Sequence, residues 1–321
     1  MALLVVNAGS SSLKLRLLGD DDTLLWAADE MAEPPLRPDA VGHRVVHGGE
    51  RFRGPVRLSD DVLEDLHALT NLAPLHQPKS LRAIEAITEA LPDVPAYACF
   101  DTAFHSTLPE AATTYALPRE WRERWPLRRF GFHGLSHAWV ARSVDAARIV
   151  SCHLGAGASL CAIRGGVSVD TTMGFTPLEG LVMATRSGSV DPGLLMWLLE
   201  HEGMDPHELA ETLEHRSGLA GLAGTADMRE LLARSDAEAA LALDVYIHRL
   251  RAGIASMAAA MDGLDALVFT GGVGENSAEV RKRASEGLDF LGVGARVPVV
   301  VVEAREDLEI ARQVRGASRF G

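Results

Sequence analysis

The sequence has little cysteine, few aromatic residues and no long apolar run, and the first and last of these shortages each argue against a class of protein. Of 321 residues, 3 are cysteines and 5% are aromatic. Cys99, Cys152 and Cys161 form no Cys-x-x-Cys pair, which argues against a zinc or dithiol redox site and fits a reducing compartment. No apolar run approaches the ~20 residues needed to cross a bilayer. The opening Leu-Leu-Val-Val stretch is too short for a signal peptide, so we expect a cytoplasmic protein.

Basic residues are also in short supply. Lysine and arginine number 31 against 44 acidic residues, which gives a formal charge of −13. A nucleic-acid backbone requires a basic surface, so this balance argues against a nucleic-acid partner. What the chain does contain is 47% hydrophobic residues and 30 glycines. This composition is typical of a globular protein, and the length predicts about two domains.

Apolar strands that lead into glycine-rich turns recur along the chain. Residues 3–6 precede a polar turn and a second strand, in which leucines alternate with charged residues. Residues 149–154 and 159–163 repeat this order of strand, small-residue turn and strand, which suggests an internal repeat. Residues 266–269 lead into a third glycine-rich junction, and residues 299–302 predict a last buried strand. Strands that alternate with helices favour an α/β sheet in each half of the chain.

Two segments place a cation where an anion could bind. The stretch Asn-Ala-Gly-Ser-Ser-Ser-Leu-Lys at residues 7–14 combines a tight turn with Lys14, so backbone amides and hydroxyls could approach a phosphate. An ordinary hairpin turn is the alternative, and the spacing is not that of a Walker A loop. Arg44 lies inside an apolar strand, where a buried guanidinium requires an anionic partner. That partner is a ligand or, alternatively, a structural carboxylate.

Three further residues are candidates for chemistry. Asp101 follows a strand at the end where open α/β sheets bind ligands, although a helix cap or a turn residue is the simpler interpretation. His133 and His137 lie in a glycine-containing segment that does not match a zinc-binding HExxH helix. We therefore interpret His133 as a hydrogen-bond donor to an oxyanion, with a packed structural histidine as the alternative. Arg186, among small residues, resembles an anion clamp.

Taken in order, these segments resemble the acetate kinase family, the short-chain carboxylate kinases of the sugar kinase, Hsp70 and actin superfamily. The stretches that carry the resemblance are VVNAGSSSLKL, VGHRVVHGGERF, LAPLHQP, CFDTAFH, RRFGFHGLSH, SCHLGAGASLCAI, TTMGFTPLEGLVMATRSGSVDPG, TADMREL and FTGGVGENS. The resemblance implies two duplicated ribonuclease-H-like α/β domains with a cleft between them. It places residues 1–105 and 307–321 in an N-terminal lobe and residues 106–306 in a C-terminal lobe with the second phosphate loop and the adenosine site.

The function implied by the resemblance is that of an acetate kinase. Such an enzyme phosphorylates acetate reversibly to acetyl phosphate by in-line transfer from ATP, with Mg²⁺ or alternatively Mn²⁺. The alternatives are a propionate or butyrate kinase, a phosphoryl donor other than ATP, or a nucleotide-binding module with weakened catalysis. The implied partners are the small carboxylate and a second copy of the chain, with neither nucleic acid nor membrane.

The resemblance also assigns roles to individual residues. Catalysis falls to Asp101, His133, Arg186 and Arg44. The acid is bound by Arg44, Val46, Leu75, His76, Phe132 and Pro177. The metal is held by Asn7 and Glu306. The phosphates and the nucleoside are held by Ser10, Ser12, Lys14, His153, Leu154, Gly155, Ala156, Gly157, Asp227, Met228, Arg229, Gly272, Val273, Gly274, Glu275 and Asn276.

The chain departs from the family pattern in two ways. It is shorter than typical members, with only 29 residues between Lys14 and Arg44. It also has Ala156 where the family loop His-Leu-Gly-Asn-Gly has asparagine, which removes an amide that should reach a phosphate. The loss of one such hydrogen bond to a charged group costs about 1.5–3 kcal/mol.

The chemistry of the acceptor limits what Asp101 can do. A carboxylate is already ionised at neutral pH, so no proton has to be removed before it attacks phosphorus. We therefore expect Asp101 to orient Arg44 or the waters of a metal ion rather than to act as a general base.

Overall fold

The computed structural model describes residues 1–9, 13–73 and 76–319. The chain forms two compact units. The first consists of Met1–Thr107, Phe132–Trp139 and Ala304–Gly321, and the second of Leu108–Gly131 and Val140–Glu303. The predicted boundary assigned residues 106–306 to one lobe, whereas in the structure Phe132–Trp139 and the segment that contains Glu306 pack within the first unit.

The first unit is built on a six-stranded mixed sheet with the order β3-β2-β1-β4-β6-β5. Its strands are β1 (Leu3–Ala8), β2 (Leu13–Leu18), β3 (Leu24–Ala28), β4 (Ala40–Val45), β5 (Val56–Arg57) and β6 (Ala96–Phe100). The chain turns back from β1 into β2 and from β2 into β3 as antiparallel pairs, whereas β4 and β6 continue the sheet in parallel with β1. The apolar residues of β1 are buried on both faces, as expected for a central strand.

The second unit repeats this plan. Its strands are β7 (Arg148–Leu154), β8 (Ala158–Arg164), β9 (Val167–Thr171), β10 (Ala266–Thr270) and β11 (Val299–Val301). The order β11-β10-β7-β8-β9 places an antiparallel meander on one side of β7 and two parallel strands on the other. The strands β3-β2-β1-β4-β6 of the first unit have the same arrangement, so the internal repeat suggested by the sequence is confirmed.

Helices cover both sheets. They are α1 (Asp60–Ala68), α2 (Gln77–Ala90), α3 (Glu110–Thr113), α4 (Arg119–Arg124), α5 (Gly134–Ser143), α6 (Pro192–His201), α7 (Pro206–His215), α8 (Gly218–Ala223), α9 (Met228–Ala233), α10 (Ala237–Ala259), α11 (Gly271–Asn276), α12 (Ala278–Ser285) and α13 (Glu306–Ala317). In the first unit, Ile310 and Val314 of α13 join Leu3 and Val5 of β1 in one core cluster. The strand that opens the chain is thus covered by the helix that closes it. Among the described residues, no helix combines the length and apolarity required to span a membrane.

One predicted strand differs in its environment. Residues 299–302 were expected to form a buried strand, but Val299 and Val301 of β11 are 38% and 45% exposed. The reason is that β11 lies at the edge of its sheet, where among the described strands it has one neighbour, β10. Two other edge strands, β3 of the first sheet and β9 of the second, were not predicted from the sequence.

Candidate active site

Four polar side chains converge in the first unit. Arg44 of β4 and Asp101, directly after β6, meet because adjacent parallel strands end at the same edge of the sheet. Arg44 Nε donates to both carboxylate oxygens of Asp101 at 3.1 and 3.0 Å, and Nη2 donates to Oδ2 at 2.6 Å. Asn7 Oδ1 accepts from Arg44 Nη1 at 3.1 Å, and Asn7 Nδ2 donates to Glu306 Oε2 at 2.8 Å. We call these four residues the Arg44 cluster.

The Arg44 cluster is largely shielded from solvent. The Arg44 side chain is 13% exposed and that of Asp101 is 2% exposed, and Glu306 Oε2 lies 3.7 Å from Arg44 Nη1. Burial raises the pKa of Asp101, against the opposing effect of the Arg44 charge. Burial alone would lower the pKa of Arg44, but the charges of Asp101 and Glu306 outweigh it and raise that pKa further. The Arg44 guanidinium is therefore permanently charged, and the Asp101 carboxylate holds it on one side.

His133 lies on a segment that is attached directly to the backbone of Asp101. The Gly134 amide donates to the Asp101 carbonyl oxygen at 2.8 Å, and a Cβ at position 134 would lie 2.1 Å from that oxygen, so only glycine fits. His133 itself has a φ of 57°, a left-handed conformation that is uncommon for residues with a side chain. Such strain is found at functional sites when the surrounding structure enforces it. The next residue, Gly134, is bound to the Asp101 carbonyl oxygen, so this left-handed residue lies directly beside the Asp101 backbone.

Apolar and imidazole groups lie beside this segment. Phe132 is 1% exposed and its ring meets the His47 ring edge-on at 5.6 Å between centroids, and Val46 is also buried. Gln77 holds the backbone of His47, since its Oε1 accepts from the His47 amide at 3.1 Å and its Nε2 donates to the His47 carbonyl at 3.2 Å. His76 is the N-cap residue of α2. Burial lowers the pKa of His47 to about 4, so this imidazole is neutral.

The predicted phosphate turn is described only at its two ends. Asn7 on β1 lies directly opposite Lys14 on β2, so the two side chains share one face of the hairpin. Ser10, Ser12 and Leu75 lie outside the described residues.

The second unit holds Arg186 in a pocket of its own. Arg186 Nη1 donates to the Pro177 carbonyl oxygen at 2.9 Å and to Met183 Sδ at 3.5 Å. Its Nε lies 3.3 Å from Glu214 Oε2, and the two side chains are 10% and 11% exposed. Arg186 and Pro177, which were predicted separately, are thus in contact, and Glu214 is a third member that the sequence did not indicate.

The predicted second phosphate turn joins the Arg186 loop through the backbone. Gly155 donates to the Gly157 carbonyl oxygen at 3.0 Å, which closes the turn between β7 and β8. Ala184 donates to the Ala156 carbonyl oxygen at 3.1 Å. The turn and the loop that carries Arg186 are therefore one connected structure.

The third glycine-rich junction packs against the end of β7. Gly271 has a φ of 79°, and a Cβ there would lie 2.8 Å from the Leu154 carbonyl oxygen. Its amide donates to Glu275 Oε1 at 2.8 Å, and Asn276 Nδ2 donates to the Gly272 carbonyl at 2.9 Å. Residues 272–276 thus lie next to residues 153–157, as two parts of one nucleotide site would.

The remaining predicted nucleotide residues begin α9. Asp227 is the N-cap residue and accepts from the Arg229 amide at 2.8 Å. The Arg229 side chain, which also donates to Asp227, lowers the pKa of Asp227 to about 2. Met228 is buried within the unit, so its side chain is part of the core rather than of a ligand surface.

The oxygen donors of the Arg44 cluster suit a hard divalent cation. Among residues 1–9, 13–73 and 76–319, no three His, Cys, Asp or Glu side chains group into a metal site. Mg²⁺ does not need one, because it commonly binds through one or two carboxylates together with water and substrate phosphates. Glu306 and Asn7, which are hydrogen-bonded to each other at the edge of the cluster, supply a carboxylate and an amide oxygen. The residues present therefore fit the predicted metal role.

The duplicated sheets, the buried arginine–carboxylate cluster and the paired glycine-rich turns define a two-domain phosphotransferase. Comparison with known proteins narrows that class. The model of the Acetokinase family matches residues 26–310, and the chain belongs to this family. It is therefore a kinase whose acceptor is a carboxyl group.

Individual relatives agree with this membership. The chain is 49% identical over 261 residues to an acetate kinase from Protochlamydia amoebophila, an alignment that covers 79% of this chain and 66% of the relative. It is 44% identical to an acetate kinase from Shouchella clausii, with 85% and 77% covered. The crystal structure of a propionate kinase from Francisella tularensis superposes with a TM-score of 0.90 at 34% identity and covers 97% of this chain and 98% of that one. The chain thus spans about two thirds to three quarters of the length of these two acetate kinases.

Proposed function

We propose that this protein catalyses the reversible transfer of a phosphoryl group from ATP to acetate, which forms acetyl phosphate and ADP. The observation that carries the proposal is the Arg44 cluster. Arg44 is a largely shielded cation whose position is set by three hydrogen bonds to Asp101. A fixed guanidinium of this kind recognises a carboxylate or phosphoryl oxygen with defined geometry.

The reaction needs no proton transfer. A carboxylate oxygen of the acid forms a bond to the terminal phosphorus of ATP, while the bond from that phosphorus to the bridging oxygen of ADP breaks. Asp101 accepts only from Arg44 in this scheme and acts as a positioning residue. It holds the guanidinium so that the charge of Arg44 meets the oxygens of the reacting groups without reorganisation.

Charge that develops on the transferred group must be stabilised in the transition state. We assign this to Arg44, Arg186 and His133. From the family resemblance, we assign the binding of the acid's methyl group to Val46, Leu75, His76, Phe132 and Pro177. A methylene more or less in such a pocket changes discrimination by only about 1–3 kcal/mol.

The nucleotide and the metal have separate supports. We assign the phosphates of ATP to Lys14 and to the two adjoining loops of the second unit, residues 153–157 and 272–276. We assign the nucleoside to the segment that begins α9, and Mg²⁺ to Asn7 and Glu306. When bound, Mg²⁺ supplies Lewis-acid neutralisation of phosphate charge.

A preference for propionate is the second candidate, because a propionate kinase is among the matching structures. An assay that traps acyl phosphate as the hydroxamate, run with ATP, Mg²⁺ and acetate, propionate or butyrate, tests both. We expect acetate to have the highest kcat/KM. A higher value for propionate would reassign the substrate, and nucleotide binding without acyl phosphate from any acid would reduce the protein to a binding module.

We propose further that the protein works in the cytoplasm as a homodimer joined through α6. All ten residues of α6 are described, and none of them is buried. The exposed residues include the large apolar side chains of Leu194, Met196 and Trp197, each about half exposed. Glu200 is the single formally charged residue of the helix, so packing this helix against a second copy would remove little charge from water. Light scattering should give twice the mass of one chain, and Trp197→Glu should give the monomer mass. A monomeric wild-type protein would refute this assembly.

A further inference from the structure

The pocket of Arg186 contains one acidic residue for which the proposed reaction has no role. Glu214 lies at the end of α7, and its Oε2 is 3.3 Å from Arg186 Nε. That oxygen is buried and has no aligned hydrogen bond among the described residues, so charge attraction is its contact with the guanidinium. A buried carboxylate is unfavourable unless a cation is held beside it. This arrangement therefore requires an explanation.

The backbone holds the two residues in a fixed relation. Thr185 Oγ1 donates to the Glu214 carbonyl oxygen at 2.9 Å, and the Ser187 amide donates to the Leu213 carbonyl at 3.0 Å. The amide of Ser217 returns to the Thr185 carbonyl oxygen at 2.9 Å. The loop on both sides of Arg186 is thus bound to the end of α7 on both sides of Glu214.

The guanidinium is consequently held through at least two of its nitrogens. Its Nη1 is bound to the Pro177 carbonyl oxygen, and its Nε faces the Glu214 carboxylate. Two contacts on different nitrogens of a planar group determine both its position and its plane. An arginine without them would sample many rotamers, and part of its electrostatic effect on a transition state would be lost to reorganisation.

We infer that Glu214 is a positioning residue for Arg186, holding the guanidinium through Nε in the one orientation in which it meets the transferred phosphoryl group. This inference rests on the proposed function, since it assumes that Arg186 acts on that group. Glu214 touches neither substrate in this scheme and acts only through Arg186. The inference adds a residue that the resemblance did not assign.

The test is a double-mutant cycle measured by the acyl phosphate assay with the full chain. Glu214→Ala should lower kcat by about 100-fold and leave the KM values for acetate and ATP within about twofold, because orientation matters most in the transition state. Glu214→Gln, which keeps the shape and one acceptor oxygen, should retain more turnover than the alanine variant. In a chain that already carries Arg186→Ala, Glu214→Ala should have no further effect.

The control is Glu211→Gln, which removes a carboxylate from an exposed position one turn earlier on α7. It should leave both kcat and KM unchanged. If Glu214→Ala lowers kcat by the same factor in the wild-type chain and in the Arg186→Ala chain, the role of Glu214 is merely structural and the inference is overturned. If Glu214→Ala does not fold, the cycle is run with Glu214→Gln, and the same comparison decides.

Failure of the proposed function has a different signature. Arg186→Ala with full turnover would remove Arg186 from the reaction, and absence of acyl phosphate from the wild-type protein would remove the reaction itself. Neither result resembles an additive effect of the Glu214 variants in an active enzyme.

Discussion

The two units have the same strand arrangement, but they place different chemistry at its edge. In the first unit, the parallel strands β4 and β6 end in the buried charges of Arg44 and Asp101. In the second unit, the corresponding strand β10 ends at Thr270 and is followed by Gly271, and its neighbour β7 leads into a turn of glycine and alanine. At the ends of these strands the first unit has charged side chains, whereas the second unit has glycine-rich turns that expose backbone groups. Duplication of a fold therefore conserved the support and left the ends of the strands free to diverge.

The largest expected effect comes from the charged edge of the first unit. Asp101→Asn keeps the shape of the side chain but removes the charge that holds Arg44, so we expect kcat to fall by about 100- to 1,000-fold with a much smaller change in KM. The second unit offers a matched control in Asp265, which also binds an arginine, Arg148, through two oxygens. Asp265→Asn should leave kcat unchanged in the same assay. Near-wild-type turnover of Asp101→Asn would disprove the positioning role.

The close approach behind His133 should give the next largest effect. In Gly134→Ala the new methyl group would meet the Asp101 carbonyl oxygen, so we expect the free energy of unfolding to fall by about 1–3 kcal/mol or more. Turnover should fall too, since both His133 and Asp101 would shift. Gly316 on α13 has open space around its Cβ position, and Gly316→Ala should raise stability by up to about 1 kcal/mol. Urea unfolding measures both, and equal effects would refute the steric argument.

Acid should reveal a third difference. Burial lowers the pKa of His43 from 6.5 to about 3. Below pH 6.5 the imidazole of His43 is protonated in the unfolded chain but stays neutral in the folded chain. The free energy of unfolding therefore decreases as the pH falls from 6.5 towards 3. Between pH 6 and 4.5 the stability advantage of wild type over His43→Gln should shrink by about 1.4 kcal/mol per pH unit. Urea unfolding at several pH values measures the difference in free energy of unfolding between wild type and His43→Gln. This difference should stay constant between pH 7.5 and 8.5. If it also stayed constant between pH 6 and 4.5, the prediction would be contradicted.

The smallest expected effect is at a helix cap. Ser59 is the N-cap residue of α1, and its hydroxyl accepts from the Val62 amide. Ser59→Ala should lower the free energy of unfolding by about 1 kcal/mol, with turnover unchanged because α1 carries no predicted site residue. Thermal unfolding and the acyl phosphate assay on the same preparation measure both, and a loss of activity would link α1 to the site.

Local pattern was sufficient for much of the fold. The alternating leucines of β2 and the small-residue turns predicted the hairpins β1–β2 and β7–β8. The edge strand β3 was missed because its five residues are all apolar and show no alternation. In β9 the valines alternate with polar residues, but Ser168 is buried while Val167 is exposed, so the pattern does not follow burial. The exposed environment of β11 is a property of the sheet order, which no local pattern contains.

The same distinction applies to the site. The motifs identified Arg44 and Asp101 as separate candidates, and their proximity follows from parallel strands that end together. The pair of Arg186 and Glu214 could not be predicted in this way, because a glutamate near the end of an amphipathic helix resembles any solvated acid. Only the path of the loop around α7 buries it beside the arginine.

The return of the chain to the first unit has a consequence for its synthesis. The ribosome makes strand β1 before the second unit, whereas its cover, α13, which also carries Glu306, is made after that unit. A ribosome completes every residue of the second unit before it makes α13. Until then the first unit keeps an apolar sheet face uncovered and lacks one member of the Arg44 cluster. We expect a chain that terminates before α13 to be degraded by proteases rather than to retain partial activity.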